Sequence, residues 1–308
     1  SWLRENIYDK ETLKQKRRHV VLWNSESVNQ HSEFDFDLLS TSNNTVIELF
    51  EHLLDHGVAI LRNVPTKLNT IADVGSLLGH MPANLYSDDP EQSAIGNVKV
   101  DPSVSVATNM CHFLGPHTDT CWRQTLSGLV LLHCLKAHPE GGRSIVVDGF
   151  TVANRLRDED LSAYNLLAQV PIDFASKVAE QDDWRVQGRI ISIAVDGNLE
   201  GIRYNGNSIG QLELPVELIE PVYQALEKFE AILYDKALWW QPMLQPGDLL
   251  IVDNHRVLHG REAFDPGIAE RHLQTCAVDR DDFHNSYRRL AKKLDKPDWS
   301  LRLCAGVI

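Results

Sequence analysis

Two short apolar runs, residues 129–135 and 144–147, are separated by His138-Pro-Glu-Gly-Gly142. Runs of this length bounded by turn formers read as strands, so two adjacent strands joined by a loop are expected here. A third run, 249–252, follows the turn Gln245-Pro-Gly-Asp248 and reads as a buried strand. Residues 46–56 carry apolar side chains at helical spacing and are followed by Gly57 and the run 58–61, which predicts helix, stop, strand. Further helical patterns cover 150–165 and, opened by Pro215, 214–234. The expected class is mainly β with flanking helices, an all-β core rather than alternating βαβ units. No Gly-rich phosphate loop follows any of these strands, which argues against a nucleotide fold.

Charge narrows the partners. Against 30 Lys and Arg stand 43 Asp and Glu, a net charge of -13 over 308 residues. Such a field repels phosphate backbones and anionic lipid, so neither nucleic acid nor a membrane surface is an expected partner. The longest apolar stretch, 126–135, is broken by Ser127, Gly128 and His133 and falls short of the roughly 20 residues a spanning helix needs. Five cysteines without CxxC spacing argue against a disulfide framework and against a cysteine zinc site. They point to a reducing compartment, so a cytoplasmic location is expected. The first 18 residues lack the apolar core and small-residue cleavage pattern of a secretory signal.

The chemistry concentrates in Gly115-Pro-His-Thr-Asp-Thr120. Alternation along an extended segment puts His117 and Asp119 on one face. An imidazole and a carboxylate, joined by a second imidazole, make a facial triad for iron(II) with positions left open for co-substrate and oxygen. His259 is the expected third ligand, placed at the rim where the strand 249–252 ends, with His255 as the competing choice. Twelve residues on, Arg271 precedes the apolar segment 273–278, as though the chain turns and returns on the neighbouring strand. Its guanidinium could grip the distal carboxylate of 2-oxoglutarate in a two-bonded fork that a lysine cannot match. Taken singly, each has a plainer reading: a surface hydrogen bond for the His-x-Asp pair, a turn at His259-Gly-Arg, and a surface ion pair at Arg271. Their joint occurrence in order favours the metal.

Several blocks together carry a family resemblance: His117-Thr-Asp, Leu131-Leu-His-Cys-Leu-Lys136, Gly141-Gly-Arg-Ser-Ile-Val-Val-Asp-Gly-Phe150, Ile202-Arg-Tyr-Asn205, Pro246-Gly-Asp248, Asp253-Asn254, Arg256-Val-Leu-His-Gly-Arg261 and Arg271-His-Leu273. In this set the chain resembles the γ-butyrobetaine and trimethyllysine hydroxylases, within the wider taurine-dioxygenase-like oxygenases. The resemblance implies a double-stranded β-helix (jelly-roll) core over 37–308, Fe(II) held by His117, Asp119 and His259, and 2-oxoglutarate held by Arg271 with Leu132 lining its site. It implies oxidative decarboxylation of 2-oxoglutarate to succinate and CO2, coupled through O2 to attack on a substrate C–H bond. Related halogenases lack the carboxylate ligand, so Asp119 favours hydroxylation, desaturation or ring closure. A homodimer is expected from the family's habit of pairing through its carboxy-terminal region.

Two departures bear on the substrate. Family members open with a cysteine-rich zinc-binding segment; here Trp2-Leu-Arg-Glu-Asn6 is followed by Ile7 and no cysteine precedes Cys111, so 1–36 is expected to be a remnant without the zinc. The family surrounds a trimethylammonium group with tyrosines. One of these corresponds to Ala277 here and another to Thr108 or Asn109. Asn205 matches a family asparagine close to the substrate carboxylate, and Trp122 and Trp184 are candidates for building a different pocket. A small polar substrate follows, an amino acid, amine or betaine derivative. The alternatives are a γ-butyrobetaine-type hydroxylase with a rearranged cage and a jelly-roll protein that binds metal without turnover.

Overall fold

The computed structural model describes residues 16–28, 32–84, 94–100, 111–176 and 183–304. Its strands are β1 (Glu33–Asp35), β2 (Val58–Arg62), β3 (Gly96–Lys99), β4 (Leu114–His117), β5 (Leu129–Lys136), β6 (Ser144–Asp148), β7 (Ile172–Ala175), β8 (Arg185–Gly188), β9 (Ile191–Ile193), β10 (Leu199–Ile202), β11 (Leu249–Asp253), β12 (Val257–Arg261) and β13 (His272–Val278). A six-stranded sheet runs β1-β2-β11-β5-β13-β3 and a three-stranded sheet runs β4-β12-β6, with β7-β8 and β9-β10 as separate pairs.

The strands read as unbroken apolar runs because both faces of each sheet are covered. Along β11, Leu249 and Ile251 turn outward to the helices Asn43–His56, Ile71–Leu78 and Arg280–Lys293. Leu250 and Val252 turn inward and meet Val146 and Val257 from the three-stranded sheet. The outer face of that smaller sheet, with Ile145, Val147 and Leu258, is covered by the helices Gly149–Glu159, Leu161–Gln169 and Val216–Leu233. This is a double-stranded β-helix with a helical coat on both sides.

Helix Asn43–His56 forms as its sequence predicts. The Ser42 hydroxyl accepts from the Thr45 amide, and Val46, Ile47, Leu49, Phe50 and Leu53 are buried on one side. Gly57 at φ 75° ends it and lets the chain enter β2 directly. Pro215 is the N-cap of helix Val216–Leu233, and the pattern at 150–165 resolves into two helices, Gly149–Glu159 and Leu161–Gln169. Among the described residues no helix is long and apolar enough to cross a membrane.

Two expectations of strand neighbourhood are corrected. β5 and β6 are not adjacent: one lies in each sheet, because the link between them, carrying Gly141 and Gly142 at φ 82° and 69°, crosses from one layer to the other. β13 likewise does not return beside β12; it crosses back to pair with β5 and β3. Periodicity reports that a strand is buried on both faces but not which strand lies beside it. The carboxy-terminal helix is tied to the core by a buried ion pair, Arg280 Nη2 donating to Asp253 Oδ2 over 2.8 Å.

Candidate metal and co-substrate site

The inner faces of β4 and β12 bring the first three candidates together. His259 is in register with His117 across this antiparallel pair. His117 Nε2 lies 3.3 Å from Asp119 Oδ1, and His259 Nε2 lies 3.8 Å from the same oxygen. One nitrogen or oxygen from each of the three falls within 4.8 Å of the others. Bonds of about 2.1 Å to an ion would set neighbouring donors roughly 3 Å apart, so small side-chain rotations suffice to close the set on a metal.

Hydrogen bonds prepare these donors. His117 Nδ1 donates to the Gly115 carbonyl over 2.9 Å, which fixes the tautomer and leaves the Nε2 lone pair directed at the shared point. Burial pulls the His259 imidazole down to about 4, so it stays neutral and able to ligate. Burial opposes ionisation of Asp119 as well, but His259 and His117 more than offset it and hold the carboxyl at about 2. His117 is held above the ordinary imidazole value by Asp119 against the opposing effect of burial. Two imidazoles and one carboxylate of this kind match the donor set of a divalent transition metal.

The local structure differs from its expectation at two points. β4 ends at His117, and Asp119 lies in the turn beyond it rather than on the strand. Thr118, fixed by its amide donating to the Tyr204 carbonyl over 2.7 Å, carries the chain on far enough to bring the carboxylate back beside His117. His259 is not at a rim but in the middle of β12, a strand of its own between the 254–256 turn and Phe264. Gly260 makes this possible: a Cβ there would come within 2.5 Å of the Leu114 carbonyl oxygen, so only glycine allows β4 to approach so closely. His255, the competing choice, lies in the turn and is not part of the cluster; its amide donates to Asp253 Oδ1 over 3.0 Å.

Arg271, just before β13, is 7% exposed, with its guanidinium carbon 5.7 Å from the centre of the Phe264 ring. Arg261 approaches that ring too, at 5.0 Å. Burial pulls Arg271 down to about 10, and Arg261 adds to this. Gly142 gives Arg271 its room, since a Cβ there would lie 3.2 Å from Arg271 Cδ and Nε. On the inner face of the large sheet Leu132 pairs with Thr275, and Val130 with Ala277. Leu132, Thr275 and Ala277 are only half-buried, whereas their outward neighbours Leu131, Cys276 and Val278 are sealed. The space between the sheets is therefore an accessible cleft at this point.

The remaining candidates are dispersed. Asn205 follows Tyr204, and its side-chain oxygen accepts from the Asn207 amide over 3.0 Å. Trp122 is buried in the loop after Asp119, and its indole N–H meets no acceptor among the described residues. Trp184 is exposed and stacks with Arg123, 5.0 Å from ring centre to guanidinium carbon. Asn109, Thr108 and the 1–15 part of the amino-terminal segment lie outside the described residues. Sequence reasoning missed Asn254, Arg203 and the Gly115 carbonyl. All three stood within recognisable blocks, but nothing in the chain announced what they hold.

Comparison with known proteins shows what the chain is similar to. A γ-butyrobetaine dioxygenase of Pseudomonas sp. (strain AK-1) is 28% identical over 284 residues, covering 91% of this chain and 72% of that protein. A mitochondrial trimethyllysine dioxygenase of Gallus gallus is 30% identical over 307 residues, covering 94% and 68%. The crystal structure of a putative α-ketoglutarate-dependent taurine dioxygenase from Burkholderia xenovorans superposes with a TM-score of 0.62 at 10% identity, over 77% of this chain and 83% of that one, a likeness of fold. Residues 18–277 match the family described as taurine catabolism dioxygenase TauD, TfdA family. With the match spanning most of the jelly roll and all of its convergent donors, the chain belongs to the TauD/TfdA family of dioxygenases.

Proposed function

We propose that this dioxygenase is Fe(II)- and 2-oxoglutarate-dependent and hydroxylates a C–H bond of a small polar substrate, an amino acid, amine or betaine derivative. The observation that carries the reading is the meeting of His117, Asp119 and His259 from two segments of chain at one point, with both histidines buried and Asp119 partly so. These three would hold the iron, which when bound supplies the redox chemistry that couples O2 and 2-oxoglutarate to oxidation of the substrate, releasing succinate and CO2. The protein's own part is to bind and orient. His117, locked by Gly115, and neutral His259 present nitrogen lone pairs, while Asp119 brings one negative charge to the ion.

Arg271 is the residue for the distal carboxylate of 2-oxoglutarate. Among the described residues no carboxylate or carbonyl accepts from its guanidinium, and a buried cation held only against a phenyl ring favours an anionic ligand. Leu132 offers the apolar wall beside it. Asn205 has already committed its oxygen to Asn207, so what it can offer a substrate carboxylate is its amide N–H2. Trp122, with its indole N–H unpartnered among the described residues, is a further candidate for substrate contact on this reading. Ala277, half-buried on the cleft's inner face, provides space where the family places a cage tyrosine, which favours a substrate other than the carnitine precursors.

The test is O2-dependent conversion of 2-oxoglutarate to succinate with Fe(II), ascorbate and a panel of amino acids, amines and betaines. Turnover abolished by His117→Ala is expected. A protein that binds metal without catalysis would consume no 2-oxoglutarate with any member of the panel. Stimulation confined to trimethylammonium substrates would favour a γ-butyrobetaine-type hydroxylase.

A further inference from the structure

We infer that Asn254 is a positioning residue for the metal: its carboxamide fixes the backbone of Asp119 and thereby sets the affinity of the three-residue centre for its ion. The inference rests on the reading of His117, Asp119 and His259 as metal ligands.

Asp119 is the one ligand of the three that no strand holds. Its side chain is 34% exposed, it sits in a turn, and the next residue, Thr120, is in the left-handed region at φ 58°. A threonine there is strained and persists only where neighbours impose it. An isolated loop of this kind would let the carboxylate wander, so something must hold it in place.

Asn254 supplies that grip from the turn between β11 and β12, where it is 0% exposed. Its Oδ1 accepts from the Asp119 amide over 2.7 Å, and its Nδ2 donates to the Asp119 carbonyl over 3.1 Å. The peptide groups on both sides of the ligand are thus bonded to one planar side chain, which fixes the direction of the Asp119 Cα–Cβ bond. The second hydrogen of Nδ2 goes to the Ser127 carbonyl over 3.0 Å, and the Asn254 amide donates to the Gly128 carbonyl over 2.9 Å. Both ends of the loop are therefore tied to the same residue. The Ser127 amide in turn donates to Thr120 Oγ1 over 2.9 Å, which holds Thr120 in its strained conformation.

A second grip works on the other side of the loop. Arg203, 1% exposed, donates to the carbonyls of Cys121 and Arg123, each over 2.7 Å, and of Gln124 over 2.9 Å. Arg203 closes the part of the loop beyond the ligand, whereas Asn254 bonds the ligand residue itself. Every polar hydrogen and the oxygen of the Asn254 carboxamide are used, which is the expected condition of a buried amide that specifies one geometry. Residues that orient metal ligands in this way commonly change metal affinity 10- to 100-fold when replaced.

Asn254→Asp removes both donated bonds, and since the charge it adds would by itself favour a cation, a loss of affinity reports the lost grip. It keeps the size and the acceptor for the Asp119 amide but turns both donated bonds into carboxylate against carbonyl. Cobalt(II), a spectroscopic probe, is titrated into metal-free wild type and variant, following visible absorption, with circular dichroism to establish folding. At least a 10-fold rise in the cobalt(II) dissociation constant in folded Asn254→Asp is expected. Equal affinity in a folded variant would overturn the inference and leave the metal reading standing. Wild type that binds no cobalt(II), or binds it unchanged after Asp119→Ala, would instead sink the metal reading. Should Asn254→Asp fail to fold, amide exchange in metal-free wild type decides: a protected Asp119 amide supports the clamp, and a freely exchanging one refutes it.

Discussion

The rings of His117 and His259 face one another across paired strands, their centroids 4.6 Å apart, with the Asp119 carboxylate bridging their Nε2 atoms. Removing that carboxylate leaves two imidazoles with no anion to share. Asp119→Ala should lower divalent metal affinity by about 100-fold or more, since a charged ligand and its orientation go together. Calorimetric titration of the metal-free protein with manganese(II) measures this directly, and retained affinity would remove Asp119 from the ligand set.

Arg271→Ala should raise the KM for 2-oxoglutarate by about 10- to 100-fold, the loss of one or two charge-assisted hydrogen bonds, while kcat at saturating co-substrate falls less. Arg271→Lys should recover only part of the loss because an ammonium cannot form the planar fork. Steady-state kinetics in which KM does not move would take the assignment away.

Gly260→Ala should destabilise the fold by about 1 to 3 kcal/mol, because the added methyl meets backbone of β4 rather than a flexible side chain. It should also weaken metal binding, since the strand it pushes carries His117 and the Gly115 carbonyl that orients it. Urea denaturation and metal titration of the same variant report the two effects. A fully stable variant would show that β4 yields without cost.

Stability should fall as the medium is acidified below about pH 6.5. Burial and then Arg280 push His255 and His284 down to about 3, with Asp253 opposing. An imidazole released on unfolding returns to about 6.5, so between these values the unfolded chain binds more protons. Each such group contributes up to about 1.4 kcal/mol per pH unit across that window, full above it and lost as pH falls. Asp253, lowered despite its burial by Arg280 and His255, acts in the same direction. Urea midpoints at pH 7.5, 6 and 5 check this, and a flat profile down to pH 5 would contradict it.

Much of the architecture is legible in the chain because length and composition report burial. The runs at 129–135 and 249–252 are too short and too apolar to be anything but strands covered on both faces, and β5 and β11 are such strands. Their partners were not legible, since the links to β6 and to β13 cross between sheets without leaving a local mark. At the site, the two-residue spacing of His117 and Asp119 pointed to the correct neighbourhood, although the carboxylate is in a turn. Asn254 was unreadable for a different reason. Its three side-chain partners are backbone atoms more than 120 residues away in sequence, and backbone has no letter in the alphabet.

Asp253 and Asn254 are consecutive residues that answer to opposite ends of the molecule. Asp253 is latched to Arg280 on the last long helix, and Asn254 to the arm bearing Asp119. Whatever tugs on that helix is thus one peptide bond from the side chain that grips the Asp119 backbone. A helix on the outer coat becomes a handle on the candidate centre.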